Sequence, residues 1–365
     1  MPPRRAPVAG LIVGLALTAW APTTGIAGGS QVPAMLSDED FWRLTQELSE
    51  PDGVYSSDNL VSDELVYRDV VPTLAEEGRR RGVFIGVGPE QNFTYIAALE
   101  PSIAFVIDIR RGNLHLQLMY KALFELSADR AEFFSRLFTK PRPAALSATS
   151  SALDLVAAFW TVRSNSEPVY RANLAAIQRV LLEQHGLPLS RRDLEGIEYV
   201  YHQFYWYGPA MTWASTTGGG RSGFPTFGDL MKQTGTNGQE LSFLATEATF
   251  AVVKGLQEKN LIVPVVGDFA GPKAIRAVGD YVRAQRTTVS AFYVSEVEPL
   301  LVRQRQWSTF CANVATLPVT PASVLIRPPT VSLAGTGAIL AKAPSPMPRV
   351  LVPIAAEIKN CASGR

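Results

Sequence analysis

Cysteine and histidine are scarce in this sequence, which has two cysteines and three histidines among 365 residues. The histidines, His115, His185 and His202, stand far apart along the chain. Structural and catalytic zinc sites use several Cys or His ligands, often at short spacings. The sequence therefore predicts no metal site of that kind.

An excess of charge of one sign is also missing. The 34 lysines and arginines and the 33 aspartates and glutamates leave a formal net charge of +1. Proteins that grip nucleic-acid phosphates usually show a basic field, and this balance gives no support for one. It gives equally little support for a membrane surface or a polyphosphate as the partner.

Two common catalytic motifs are absent from the sequence. No G-x-x-x-x-G-K-[ST] loop occurs, so a P-loop nucleotide site is not predicted. No G-x-S-x-G elbow occurs either, and a hydrolase is the weakest of the functional hypotheses.

The N-terminus has the layout of a secretory signal peptide. Arg4 and Arg5 precede the apolar run Ala9–Ala19, which is too short to be a comfortable transmembrane helix. Small residues follow, and Ala27 suits a cleavage position. We predict a signal peptide at residues 1–28 and a periplasmic or secreted protein with no stable membrane anchor after cleavage. The alternative is an uncleaved, membrane-anchored chain.

Export of the chain would determine whether the two cysteines, Cys311 and Cys361, can be oxidised. In an oxidising compartment they could form a disulfide, and the alternative is two unrelated thiols.

The stretch Gly82–Asn113 is the centre of the prediction. An apolar run from Val83 leads into a turn with Gly86 and Gly88, and Pro89 suits the first position of a helix. A second apolar run, residues 103–107, ends on Asp108, 22 residues after Gly86. This order predicts strand, loop, helix and strand, with the loop and the acid able to bind a nucleoside at the carboxyl end of a parallel sheet. The alternative is a plain strand–helix–strand unit with a tight turn.

The residues of the glycine loop indicate which class of nucleoside cofactor is expected. A dinucleotide-binding loop requires a small residue at the third position of its glycine motif, and this sequence has Gln91 at that position. A short G-x-G loop followed by an acid is similar to the class I methyltransferase pattern, which binds S-adenosylmethionine. A phosphate-bearing cofactor is the less favoured alternative to S-adenosylmethionine. The predicted cofactor contacts are Gly86, Val87, Gly88, Glu90, Gln91, Asn92, Asp108, Ile109 and Arg110.

The flanking segments complete the predicted architecture. A helix ending near Leu48 is followed by a loop at residues 49–64 and a helix from about Ser62. The loop could fold over the crevice, with Tyr55, Asp58 and Asn59 as substrate contacts, or it could be an ordinary capping loop.

Residues 140–235 break the strand–helix rhythm and predict a helical cap insertion. Its aromatic stretch, Tyr199–Trp213, is interpreted either as a packed cap or as the wall of a substrate cavity. Further strands are expected near residues 261–268, 289–294 and 323–327, with Pro264 suggesting a bulge or an edge position. A tail rich in proline and alanine, residues 331–365, is expected to wrap the surface or stay disordered.

Two acidic residues follow the later strands and would join the same edge of the sheet. Asp268 and Glu296 are the candidate catalytic bases. Asp268 could instead cap the following helix at Gly271-Pro272, and this second interpretation is slightly favoured.

Several long strings resemble an uncharacterised bacterial protein family with a class I S-adenosylmethionine-dependent methyltransferase-like fold. They are SSDNLVSDE, FIGVGPEQNFTYIAALEP, IDIRRGNL, MYKALFELSADRAEFFSRLF and NLIVPVVGDFAGPKAIRAVG, and the match runs from about Leu36 to Arg327. The resemblance implies an α/β, Rossmann-like, doubly wound and mostly parallel sheet at residues 35–330. It also implies a crevice of the S-adenosylmethionine type, and no particular substrate.

Two functions follow as expectations. The first is a methyltransferase-like enzyme that binds S-adenosylmethionine and an unidentified small-molecule acceptor. The second is an exported, non-catalytic module that keeps the fold and binds another ligand or a protein partner. Export favours the second, because S-adenosylmethionine is a cytoplasmic metabolite.

Overall fold

The computed structural model describes residue 1 and residues 31–65, 67–75, 81–163, 166–217, 223–235, 237–295, 297–327 and 351–362. Within these residues the chain forms a six-stranded sheet and fourteen α-helices. The strands are β1 (Val83–Gly86), β2 (Ile103–Asp108), β3 (Ile262–Val266), β4 (Val289–Tyr293), β5 (Val319–Ile326) and β6 (Leu351–Pro353). The helices are α1 (Asp38–Leu48), α2 (Tyr67–Leu74), α3 (Gln91–Leu99), α4 (Arg111–Leu126), α5 (Arg130–Leu137), α6 (Ala152–Thr161), α7 (Glu167–Arg179), α8 (Arg191–Tyr207), α9 (Phe227–Met231), α10 (Glu247–Glu258), α11 (Ala274–Ala284), α12 (Val297–Arg303), α13 (Trp307–Val314) and α14 (Ile354–Ala362).

The sheet has the strand order of a doubly wound, Rossmann-like fold. Its strands lie in the order β3-β2-β1-β4-β5-β6; β1 to β5 are parallel, and β6 runs antiparallel to β5. The predicted α/β class with a mostly parallel sheet is confirmed. The strand order reverses between β1 and β4, and the carboxyl ends of these two strands flank the crevice where such folds bind ligands.

The parallel strands form because their apolar runs are buried on both faces. Every residue of β1, β2 and β3 is buried. Pro264 is tolerated because β3 is an edge strand, and its neighbours Val263 and Val265 face β2 in register with Phe105 and Ile107.

The predicted start of a helix agrees with the structure where a local capping residue determines the first residue of the helix. Ser37 accepts a hydrogen bond from the Asp40 amide and starts α1 as predicted. The helix expected from about Ser62 begins later, at Tyr67, because Ser62 is engaged by the sheet edge instead. Residues 49–64 have no helix or strand, as predicted.

Four helices, α6 to α9, lie in the region predicted as a helical cap. Helix α8 packs along α4, and Gly196 makes the close approach possible because a Cβ there would collide with the His115 ring. Asp193, in the first turn of α8, accepts hydrogen bonds from Arg111 at 2.7 Å and from His115 at 2.9 Å. Burial lowers the pKa of His115, so this contact joins a neutral imidazole to the carboxylate near neutral pH.

The C-terminal segment adds structure that the sequence did not predict. Strand β6 extends the sheet, α14 follows it, and a disulfide joins Cys311 of α13 to Cys361 of α14. Of the two alternatives left open by the sequence, the structure has the disulfide and not two unrelated thiols. Arg327 lies between Glu298 and Glu357 at 3.0 and 3.2 Å and ties the same segment to α12.

Other predictions fall on residues outside those that the structure describes. These are residues 2–28 of the predicted signal peptide and residues 331–350 and 363–365 of the predicted tail. Among the helices that the structure does describe, none is both long enough and apolar enough to span a lipid bilayer.

Candidate functional site

The candidate site is the carboxyl edge of the sheet. The turn after β1 carries Gly86–Gln91, the end of β2 carries Asp108–Arg110, and Asp268 follows β3. Parallel strands bring these groups to one edge, as predicted. Glu296, the other candidate base, lies outside the described residues.

The glycine turn is shaped by the side chain of Asn92. The Asn92 Nδ2 donates to the carbonyls of Val87, Gly88 and Pro89 at 2.9, 3.2 and 2.7 Å. A Cβ on Gly86 would collide with the Asn92 Oδ1, and Gly88 has a φ of +76°. The two glycines are therefore required by the turn itself, because one makes room for an amide and the other adopts a left-handed conformation.

The two residues after the turn point into the protein. Both carboxyl oxygens of Glu90 accept from the Ser62 amide, at 3.2 and 3.3 Å. The Gln91 Oε1 accepts from the Ser62 hydroxyl at 2.5 Å, and its Nε2 donates to the Tyr95 hydroxyl at 2.8 Å. Glu90 and Gln91, predicted to contact a cofactor, are thus bonded to residue 62 of the preceding loop.

Burial raises the pKa of Glu90 to about 8, from an ordinary value of 4.5. The folded protein holds this proton up to about pH 8, whereas the unfolded chain releases it near pH 4.5, so stability falls as the pH rises through that window. Glutamine resembles the protonated acid in shape and does not titrate. We therefore expect Glu90→Gln to match the wild type near pH 5 and to exceed it at pH 8, by at most about 1.4 kcal/mol for each pKa unit of the shift.

Urea unfolding at a series of pH values measures this difference. The same substitution at Glu183, an exposed residue, serves as the control for replacing a glutamate by glutamine. A constant difference between Glu90→Gln and the wild type from pH 5 to pH 8 would contradict the prediction.

Asp108 is held by its near neighbour Arg110. The Asp108 Oδ1 accepts from the Arg110 amide and Nε, each at 2.9 Å, and the Oδ2 accepts from the Arg110 guanidinium at 2.7 Å. The same guanidinium donates to the carbonyls of Ser57 and Asp58. Both side chains are buried. Asp108 is therefore at the predicted place, and its two oxygens are engaged by a guanidinium that also binds the loop above.

Residues 49–64, the edge segment, run across the carboxyl ends of four strands in turn. Their successive contacts are Glu50 with Val266 and Asp268 after β3, Gly53 with Ile109 after β2, Ser57 and Asp58 with Arg110, Ser62 with Glu90 and Gln91 after β1, and Glu64 with Tyr293 and Ser295 at the end of β4. Ser62 and Glu64 lie at the point where the strand order reverses. The edge segment therefore occupies the line along which a nucleoside cofactor would lie in this fold.

The three predicted substrate contacts belong to this segment and have partners within the chain. Tyr55 lies under the Arg110 guanidinium, 5.6 Å from ring centroid to charge centre. The Asp58 carboxylate accepts from the Tyr199 hydroxyl of α8 at 2.6 Å. Asn59, with a φ of 44°, faces Gly88. The capping-loop interpretation accounts for these contacts.

Asp268 caps a turn. Its Oδ1 accepts from the Ala270 amide at 2.8 Å, within the loop before α11, so Asp268 does not cap the following helix as the sequence interpretation expected. The start of α11 is bound by Glu50, whose carboxylate accepts from the amides of Lys273 at 2.7 Å and Ala274 at 2.8 Å. A helix N-terminus at this edge, which could bind an anionic ligand group, thus holds a carboxylate of the edge segment.

Sequence reasoning missed a buried polar stripe on α4. Asn113, Gln117 and Tyr120 share one face of the helix and are almost fully buried, and the Gln117 Nε2 donates to the Gly88 carbonyl at 3.2 Å. Among the residues that the structure describes, none forms a hydrogen bond with the Asn113 Oδ1, the Gln117 Oε1 or the Tyr120 hydroxyl. Polar residues at intervals of four and three in an otherwise apolar helix were the available signal.

The aromatic stretch of the cap is buried on one side and exposed on the other. On α8, Tyr201 and Phe204 are buried in the core, while Tyr199 and Trp206 are exposed. The exposed side lines a groove of about 580 Å³ between α7 and α8. This groove lies on the cap, and Tyr199, which lines it, also donates to Asp58 of the edge segment.

Comparison with protein families identifies the chain. The family model for a domain of unknown function, DUF7790, matches residues 60–183 and 225–338. The chain belongs to the DUF7790 family. The two matched ranges include all of β1 to β5, and α8 lies between them. No curated protein matches this DUF7790 chain.

Proposed function

We propose that this protein is an exported, non-catalytic ligand-binding module that retains a methyltransferase-like fold. The observation that carries the proposal is the pairing of Asp108 with Arg110. A ribose diol would need the Asp108 oxygens, and Arg110 engages both of them while binding two carbonyls of the edge segment.

The free-energy cost of displacing the edge segment and Arg110 supports the same proposal. Breaking a buried ion pair by removing one partner typically costs about 3–5 kcal/mol. A nucleoside ligand would have to displace Arg110 from Asp108 and move Ser62 away from Glu90 and Gln91. A neutral adenosine offers few partners for these groups. The state in which the edge segment keeps its contacts is therefore favoured over the state with a bound nucleoside.

Export is supported by the disulfide between Cys311 and Cys361. Disulfides persist in secreted and periplasmic proteins and are rare where thiols are kept reduced. A signal peptide at residues 1–28 and a periplasmic or secreted location remain part of this proposal. In such a compartment S-adenosylmethionine is not supplied by metabolism.

Calorimetry with S-adenosylmethionine and S-adenosylhomocysteine tests the proposal. We expect the purified protein to give no binding heat with either compound at ligand concentrations up to about 1 mM, which corresponds to binding weaker than about 4 kcal/mol. A dissociation constant in the micromolar range would refute the proposal. N-terminal sequencing of the exported protein tests the signal peptide separately.

The second candidate is an S-adenosylmethionine-dependent methyltransferase. The observation in its favour is the strand order, with a glycine turn after β1, an acid at the end of β2 and an antiparallel last strand beside β5. In that case Asp268 or Glu296 would act as the base. Binding of S-adenosylmethionine that Asp108→Asn weakens at least tenfold would favour this candidate.

A further inference from the structure

The groove between α7 and α8 combines aromatic rings, both buried and exposed, with planar charged groups. Its aromatic residues are Tyr170, Tyr199, His202, Tyr205 and Trp206. Tyr170 stacks on Tyr205 with centroids 4.7 Å apart, and His202 lies parallel to Trp206. The Trp206 side of this surface is open, since the residue is 70% exposed. A volume of about 580 Å³ is within the range of small-molecule sites.

The charged residues of the groove already take part in ion pairs, two with one another and one with Arg191 beside the groove. Arg171 bridges Glu167 at 3.0 Å and Glu198 at 3.5 Å, and Glu195 pairs with Arg191 at 2.8 Å. These pairs are exposed, so each contributes little to stability and can rearrange at low cost. The groove lining therefore offers three hydrogen-bonding carboxylates and one guanidinium, and Arg191, which pairs with Glu195, offsets a second carboxylate.

This balance selects among the classes of small ligand. A strongly charged anion would meet three carboxylates, and a cation would compete with Arg171, which already lies over the Tyr170 ring at 5.9 Å. A neutral molecule with a flat C–H face and neighbouring hydroxyls meets neither obstacle. Its apolar face would stack on the indole of Trp206, and its hydroxyls would pair with the two oxygens or two N–H groups of the planar charged side chains.

We propose that the α7–α8 groove binds a pyranose unit of a neutral carbohydrate. The proposal rests on the binding role given above and names the class of its ligand. Trp206 is the stacking platform, and Glu198 with Arg171 forms the hydroxyl-binding pair. Helix α8, which carries Trp206 and Glu198, lies between the matched DUF7790 ranges, whereas α7, which carries Arg171, lies within the first of them.

Calorimetry of the full protein with soluble oligosaccharides tests the proposal. The probes are the hexamers of β-1,4-linked glucose, β-1,4-linked N-acetylglucosamine and α-1,4-linked glucose, with tetramethylammonium chloride as the cationic probe. We expect at least one hexamer to bind, and Trp206→Ala and Glu198→Gln each to weaken that binding at least tenfold. The control is Trp160→Ala, since Trp160 is an exposed tryptophan of the cap that does not line the groove, and this variant should bind as the wild type does.

Three outcomes would overturn the proposal. They are no binding of any hexamer, binding that Trp206→Ala leaves unchanged, or binding of tetramethylammonium that Trp206→Ala abolishes while the sugars do not bind. Equal melting temperatures of the variants show that a lost signal is not lost folding. Binding of S-adenosylmethionine would refute the proposal that the edge segment excludes a nucleoside, whereas the loss of sugar binding would refute the carbohydrate proposal, so the two failures can be distinguished.

Discussion

Replacing Arg130 by methionine should lower the free energy of unfolding by about 3–5 kcal/mol. The Arg130 side chain is 3% exposed and pairs with Glu247 at 2.9 Å. Its two terminal nitrogens also donate to the carbonyls of Leu244, Ala245, Ala148 and Ser150. Methionine keeps much of the volume and supplies no donor, so four carbonyls lose their partner in a site that admits little water.

Urea unfolding followed by circular dichroism measures this effect. Arg136→Met is the matched control on the same helix, because Arg136 pairs with Glu132 one turn away in a partly exposed position. An i,i+4 pair of that kind contributes about 0.3–0.5 kcal/mol. If Arg130→Met came within about 1 kcal/mol of Arg136→Met, the structural role given to Arg130 would be wrong.

The Gly86→Ala variant should lose about 2–4 kcal/mol of stability. A Cβ at position 86 would collide with the Asn92 Oδ1 and stand 2.8 Å from the Phe84 ring. Overpacking of this kind costs about 1–3 kcal/mol, and displacing the Asn92 amide from the turn carbonyls adds buried, unpaired groups. Thermal and urea unfolding give the magnitude.

The control for this variant is Gly112→Ala in α4, where a new Cβ meets nothing within 4 Å. Alanine is the better helix former, so this variant should gain up to about 1 kcal/mol. In a double-mutant cycle, Asn92→Ala should make Gly86→Ala less harmful, since the colliding amide is gone. Additive effects of the two substitutions would argue against the explanation.

The outcome for Gly86 bears on how glycine-rich turns are interpreted. The G-x-G pattern after β1 suggested backbone groups open to a cofactor, and its prediction of a tight turn between strand and helix was correct. The turn carbonyls are used by Asn92, six residues after Gly86, and this contact needs no ligand. Glycine spacing alone does not distinguish a turn that is open to a cofactor from a turn that is filled by a side chain of the same protein.

The sequence by itself determined the alternation of strands and helices, the parallel sheet and the edge at which Asp108 and Asp268 meet. These features depend on local causes: apolar runs long enough to be buried on both faces, proline and glycine at turns, and caps such as Ser37. The possible pairing of two lone cysteines could likewise be stated in advance, although only the fold brings their Cα atoms to 5.8 Å.

Only the tertiary structure decided what occupies the carboxyl edge. The contacts of the edge segment join residues far apart in the chain, 28 positions for Ser62 and Glu90 and 229 for Glu64 and Tyr293. Local patterns carry no information about such pairs, because a serine in a polar loop looks the same whether it faces solvent or Glu90. For the same reason, the contacts of Arg130 with Leu244 and Ala245 could not be predicted, and the groove beside Trp206 depends on how α7 and α8 pack against each other.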